Sequence, residues 1–239
     1  MAGRLFVLPA PAPVTALRTG KPKRRVGAII VTMRQRKPAP LQKGRYLSIE
    51  AIQAVQALKR AHSAGPLALS QALRGGSFTR LLKLDMVSVL RELLRQNHCV
   101  VSLKVFENMR KEDWYKPRVS LYAEMIGTMA ANGCTEQAEL LYRYLQSEAE
   151  YLEANAEGEG FAALLGTLIR HELNAMAIEC YAMMKGLGCE PDRSTFRMLI
   201  HGFTSLGEPD AAAAVRLDAH QSYPLFLEVE EEEDDDQQD

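Results

Sequence analysis

Apolar residues recur through the middle of the chain at spacings of three, four and seven, and the recurrence itself repeats. Residues 83–118, 119–157, 158–192 and 193–227 align as four units. The fourth place of each is Met86, Tyr122, Phe161 or Phe196, and the seventh is Val89, Met125, Leu164 or Leu199. The eighth is Leu90, Ile126, Leu165 or Ile200, and the eleventh is Leu93, Met129, Leu168 or Phe203. These spacings put all four places on one face of a helix. Place fifteen is Asn97, Gly133, Glu172 or Gly207. Three of those four readily take the left-handed backbone that ends a helix. A second helix follows, small at place twenty (Ser102, Ala138, Ala177, Ala212) and apolar at place twenty-four (Phe106, Tyr142, Tyr181) and place twenty-seven (Met109, Leu145, Met184). Pro117 and Pro191 read as stopping that helix and opening the next unit.

The unit is therefore helix, turn, helix. The 119–157 copy is longer, with extra residues around "EANAEGEG" that read as an extended loop. One such hairpin has too little partner surface to bury both its apolar faces, and stacking consecutive hairpins solves this. The expectation is an all-α fold, an α-solenoid over 44–227, with a degenerate first copy at 46–82. There "LSIEAIQAVQALKRA" reads as one amphipathic helix and "GPLALSQALRGG" as a short second one. Arg216 stands where the last copy should carry its aromatic, so that copy reads as a capping unit.

The formal net charge of −1 hides a polarity along the chain. Residues 1–49 hold 11 Lys/Arg and no acid, whereas 228–239 hold 9 Asp/Glu and no base. An Arg-rich, acid-free leader fits an organelle transit peptide over 1–43; a basic arm that stays attached and touches nucleic acid is the competing reading. The run "VGAIIVTM" is too short to cross a bilayer, and no membrane association is expected. The tail at 228–239 has nothing apolar enough to pack and reads as disordered. It is either a solubilising segment or a competitor with RNA for the protein's own basic face. The four cysteines show no C-x-x-C spacing, so free thiols are expected rather than zinc or disulfides.

Two motif fragments carry no chemistry. Gly158-x-Gly160-x-x-Ala163 has no strand before it and would face phosphates with glutamates. His171-Glu172 begins a zinc-protease motif, but position 175 is Ala, so the second ligand is missing. No catalytic residues, metal site or cofactor are expected, and the chain reads as a non-enzyme.

The stretches "YAEMIGTMAANGCTEQAELLYRYL" (122–145), "FRMLIHGFTSLGEPDAAAA" (196–214) and "MKGLGCEPD" (184–192) resemble the pentatricopeptide repeat family. The rival tetratricopeptide repeat needs small residues at places eight and twenty-seven, which are Leu/Ile and Met/Leu here. "LRELLRQNHCVVSLKVFENMRKEDWYKPRVSLYAEMI" (90–126) with "GRYLSIEAIQAVQALKRA" (44–61) is similar to the small plant members of the thylakoid-assembly type. That resemblance implies single-stranded intron RNA as ligand and a role in chloroplast group II intron splicing. It also implies a stromal location, with the mitochondrion as the alternative, and other splicing factors as possible partners. A helical scaffold that binds a basic protein without touching RNA is the second reading.

In that family the fifth and last residues of a repeat choose the base. Place five here is Val87, Ala123, Ala162 or Arg197, three of which have no side-chain hydrogen-bonding group. Asp192 is the one conventional base-reading partner. What remains is phosphate contact by Lys83, Arg91, Arg95, Arg118, Arg170, Arg193 and Arg197, with Trp114 and Tyr115 stacking on a base or wedging between hairpins. Residues 50–118 carry 12 basic and 6 acidic groups and 119–192 carry 3 and 12, so RNA is expected to favour the N-terminal half. Few contacts imply modest affinity, and an RNA-induced homodimer would raise it by avidity.

Overall fold

The computed structural model describes residues 47–75, 78–116, 118–152 and 157–224. The expected leader at 1–43, the acidic tail at 228–239 and Pro117 lie outside the described residues. Those described fall in one compact unit, Arg45–Asp239. Their regular elements are α-helices in five hairpins, with two short 3-10 turns: α1 (Ile49–Ala64) with α2 (Pro66–Arg74), α3 (Lys83–Arg95) with α4 (Cys99–Met109), and α5 (Val119–Ala131) with α6 (Thr135–Glu148). α7 (Gly158–Arg170) pairs with α8 (Asn174–Gly186), and α9 (Arg193–Ser205) with α10 (Pro209–Ser222). No strand occurs among the described residues.

Each odd-numbered helix packs on its own even-numbered partner and on the next odd-numbered helix, so α1, α3, α5, α7 and α9 form one continuous layer. This is the stacked solenoid that the apolar periodicity demands. Every residue at places four, seven, eight and eleven is buried, as are Ser102, Ala138, Ala177 and Ala212 at place twenty. Small residues there let the second helix lie close against the first.

The turn inside each of the last four hairpins is the same object. Asn97, Gly133, Glu172 and Gly207 all take left-handed φ, from 56° to 75°. The amide after each bonds back to a carbonyl five residues earlier: His98 to Leu93, Cys134 to Met129, Leu173 to Leu168 and Glu208 to Phe203, at 2.9–3.0 Å. These are Schellman turns that satisfy the last carbonyls of the first helix. Glu172 is the departure from expectation, since its side chain is placed where glycine is favoured. The repeat's geometry overrides the local backbone preference.

The second helices end before the prolines. α4 stops at Met109 and α8 at Gly186, well short of Pro117 and Pro191. For α8 the terminator is Gly188, at φ 73°, with Cys189 N–H donating to the Met184 carbonyl. After α4 the chain runs through turns at 110–114 into an irregular linker. That early exit from the helix positions the candidate site.

Candidate nucleic-acid interface

The first turns of α3 and α5 and the linker after α4 enclose an open groove of about 490 Å³. Lys83, Leu84, Val87 and Arg91 line it from α3, Ser120 and Leu121 from α5, and Trp114, Tyr115, Lys116 and Arg118 from the linker. Four cations thus surround an apolar, aromatic floor. Lys83 Nζ lies 5.8 Å from the centre of the Trp114 ring, a cation–π placement. Leu84 is 81% exposed at the rim. Trp114 is half-buried, packing against the core while lining the groove.

A single carboxylate anchors the linker. Glu148, the last residue of α6, accepts a hydrogen bond from Arg110 Nε, another from Tyr122 Oη at 2.6 Å and a long one from Tyr115 Oη at 3.5 Å. Arg110 also stacks on Tyr144, its guanidinium carbon 3.9 Å from the ring centre. Phe106 meets the rings of Tyr115 and Tyr122 edge to face, at 5.9 and 5.3 Å. Burial pushes the Tyr115 and Tyr122 hydroxyls up, above their ordinary range, so both stay protonated and donate to Glu148. The linker is irregular, yet its groove-lining side chains are held by packing and by this carboxylate.

The groove unites Lys83, Arg91, Arg118, Trp114 and Tyr115 from the sequence-derived set and adds Leu84, Lys116 and Ser120. Arg91 is already engaged, with Nε and Nη2 bonding Glu124 at 3.0 and 2.9 Å. Any anion approaching Arg91 would have to displace that carboxylate. Arg95 lies toward the other end of α3 and grips buried Glu92 through two hydrogen bonds, at 3.0 and 2.6 Å.

The remaining candidates do not line the groove. Arg170 ends α7. Arg193 opens α9, its guanidinium 5.1 Å from the Tyr223 ring centre. Arg197 is exposed on the same helix. Asp192 is the N-cap of α9: its carboxylate accepts from Thr195 N–H at 2.8 Å and from Ser194 Oγ at 3.0 Å. Hydrogen bonds from Thr195 hold its carboxyl below the usual range. An Asp followed by Ser and Thr before an apolar run is the sequence signal of a cap. Leu84 also had a signal, an apolar residue at a place the buried stripe leaves out. The Glu148 network had none, because it joins residues from three helices and a linker.

Over 184 residues the chain is 35% identical to Protein THYLAKOID ASSEMBLY 8, chloroplastic, of Arabidopsis thaliana, covering 74% of this chain and 79% of the relative. A pentatricopeptide repeat-containing protein of the same plant is 28% identical over 160 residues, 67% of this chain and 79% of its own. Among solved structures, the crystal structure of THA8 in complex with Zm4 RNA matches with a TM-score of 0.65 at 29% identity. That match covers 73% of this chain and 95% of the other. No family model matches the sequence.

Proposed function

The chain belongs to the pentatricopeptide repeat family, and on that premise we propose that it is an RNA-binding splicing factor of the chloroplast stroma. It binds single-stranded segments of intron RNA and promotes group II intron splicing, with the intron supplying the catalysis. The observation that carries this reading is the groove between α3 and α5, where Lys83, Lys116, Arg118 and Arg91 surround the Trp114 and Tyr115 rings. Cations beside a half-buried aromatic floor that opens on the groove suit a strand that offers phosphates and unstacked bases together. The relative solved with RNA supports the same class of ligand.

Recognition is by phosphate, stacking and shape. Val87 and Ala123 at place five have no side-chain hydrogen-bonding group, and Asp192 is occupied as a cap. One groove gives modest affinity. A second copy on the same RNA doubles the contacts, and other splicing factors add theirs.

The test is binding of a fluorescent single-stranded intron oligonucleotide across a salt series. Lys83→Ala with Arg118→Ala should flatten the slope of log affinity against log salt by about 1.4, the loss of two phosphate contacts to a single strand. Trp114→Ala should weaken binding about tenfold or more through lost stacking. Trp114 is the chain's sole tryptophan, so its fluorescence should respond when wild-type protein takes up RNA. Absence of RNA binding by the wild type would favour the protein-scaffold reading.

A further inference from the structure

The turns of the second and third hairpins touch at the end of α3 and α5 remote from the groove. Asn132 Nδ2 donates to Asn97 Oδ1 at 3.2 Å, tying one turn to the next. Two residues beyond each asparagine is a cysteine: Cys99 opens α4, and Cys134 immediately precedes α6. Cys99 is buried and Cys134 is half-exposed. The Cys134 thiol lies 3.7 Å from the Asn132 carbonyl oxygen, at the turn that touches Asn97, and comes within hydrogen-bonding reach of Cys99. Burial is the main cause that pushes the Cys99 thiol up, and the charge and hydrogen bond of Cys134 push it further. Burial raises the thiols of the other two cysteines, with Glu157 adding to the rise of Cys189.

We propose that Cys99 and Cys134 form a reversible disulfide that staples the second hairpin to the third. The oxidant is a disulfide, either a small molecule such as oxidised glutathione or an oxidoreductase. The Cys134 thiolate, reachable from solvent, attacks one sulfur of that disulfide and displaces the other as a thiolate. The Cys99 thiolate then attacks Sγ of Cys134 and expels the second. Each cysteine gives up its proton, one S–S bond forms as one breaks, and the oxidant leaves as two thiols. The second attack is slow because Cys99 resists ionisation, and it quickens as pH rises.

The staple spans the junction that carries the groove. α3 and α5 pack less closely than α5 and α7, so they act as two levers. Drawing the turn ends to bonding distance spreads the opposite ends, parting Lys83 and Leu84 from Arg118 and Ser120. The oxidised protein therefore binds RNA less tightly. This coupling rests on the RNA reading of the groove, whereas the staple does not.

The experiment treats the full native chain with oxidised glutathione at several pH values and follows intact mass. Closure removes two hydrogens and leaves no glutathione adduct, and peptide mapping links Cys99 to Cys134. Cys134→Ser, at a half-exposed site that tolerates the change, should retain neither the link nor that mass loss. Cys189→Ser should close normally. The oxidised chain should melt several degrees higher, because the link constrains the unfolded ensemble. It should bind the intron oligonucleotide about fivefold more weakly, in the range of ordinary coupling between sites, with recovery in dithiothreitol. An unchanged mass, a persistent adduct at saturating oxidant, or closure in Cys134→Ser overturns the staple. Equal affinity of closed and open forms, in a protein that does bind RNA, overturns only the lever.

Discussion

Two neighbouring junctions of the same repeat differ sharply. Between α5 and α7 the helices meet almost backbone to backbone. A Cβ on Gly160 would come within 2.9 Å of the Ser120 amide nitrogen and 3.0 Å of Val119 Cβ, and one on Gly127 within 3.0 Å of Thr167. The Glu157 carboxylate, from the start of the fourth hairpin, accepts the Val119 N–H at 2.9 Å and closes the N-terminus of α5. Between α3 and α5 there is a groove, and polar side chains link the two sides: Arg91 bonds Glu124 beside it, and Asn132 bonds Asn97 at the far turns. Place nine marks the difference, being Arg91 at the open junction and Gly127 at the closed one. The apolar stripe makes a solenoid, and the small-or-large choice outside the stripe decides where it leaves room for a ligand.

That contrast can be broken at its closed side with the largest effect. Gly160→Val forces a side chain against the α5 backbone and should cost about 3 kcal/mol in chemical denaturation, as overpacking does. A neutral result would show that close approach is not what holds α5 and α7. On the open side, Glu148→Ala strips the partner from Arg110 and Tyr122. It should cost about 2 kcal/mol, for donors left unpaired in a partly buried site, and should weaken the fluorescence response of Trp114 to RNA. Glu157→Ala removes the cap that the fourth hairpin supplies and should cost about 1 kcal/mol; urea midpoints would measure it. The smallest stability effect belongs to Arg91→Ala, whose exposed ion pair contributes within about 0.5 kcal/mol. Its thermal midpoint should barely move while RNA affinity changes, separating binding from stability at one residue.

The fold was legible because it rests on periodicity, and periodicity survives in a single sequence. Phe161 and Phe196, Leu165 and Ile200 could be placed on the buried face by counting. The left-handed turn was legible at Asn97, Gly133 and Gly207 by residue type, but not at Glu172, where tertiary packing imposes a conformation that its side chain disfavours. The groove was half legible. Lys83, Arg118 and Trp114 were candidates one by one, but nothing in spacing says that a linker leaving α4 seven residues before Lys116 brings them together. Asp192 is the opposite case: its role as a helix cap is written locally in Asp-Arg-Ser-Thr, whereas the family resemblance implies base reading at that place. Gly160, a chance member of a dinucleotide-like pattern, turns out to be required by the close approach of two helices.

The capping of Val119 by Glu157 has a consequence for how the chain comes apart. One hairpin completes the helix terminus of another, so the third and fourth cannot open independently without exposing an orphaned amide. Native-state hydrogen exchange should find α5 and α7 opening as a single cooperative unit, with α3 and α4 free to open at lower energy. A chain shortened to end before residue 157 should then fray from α5 inward rather than simply losing its last repeats.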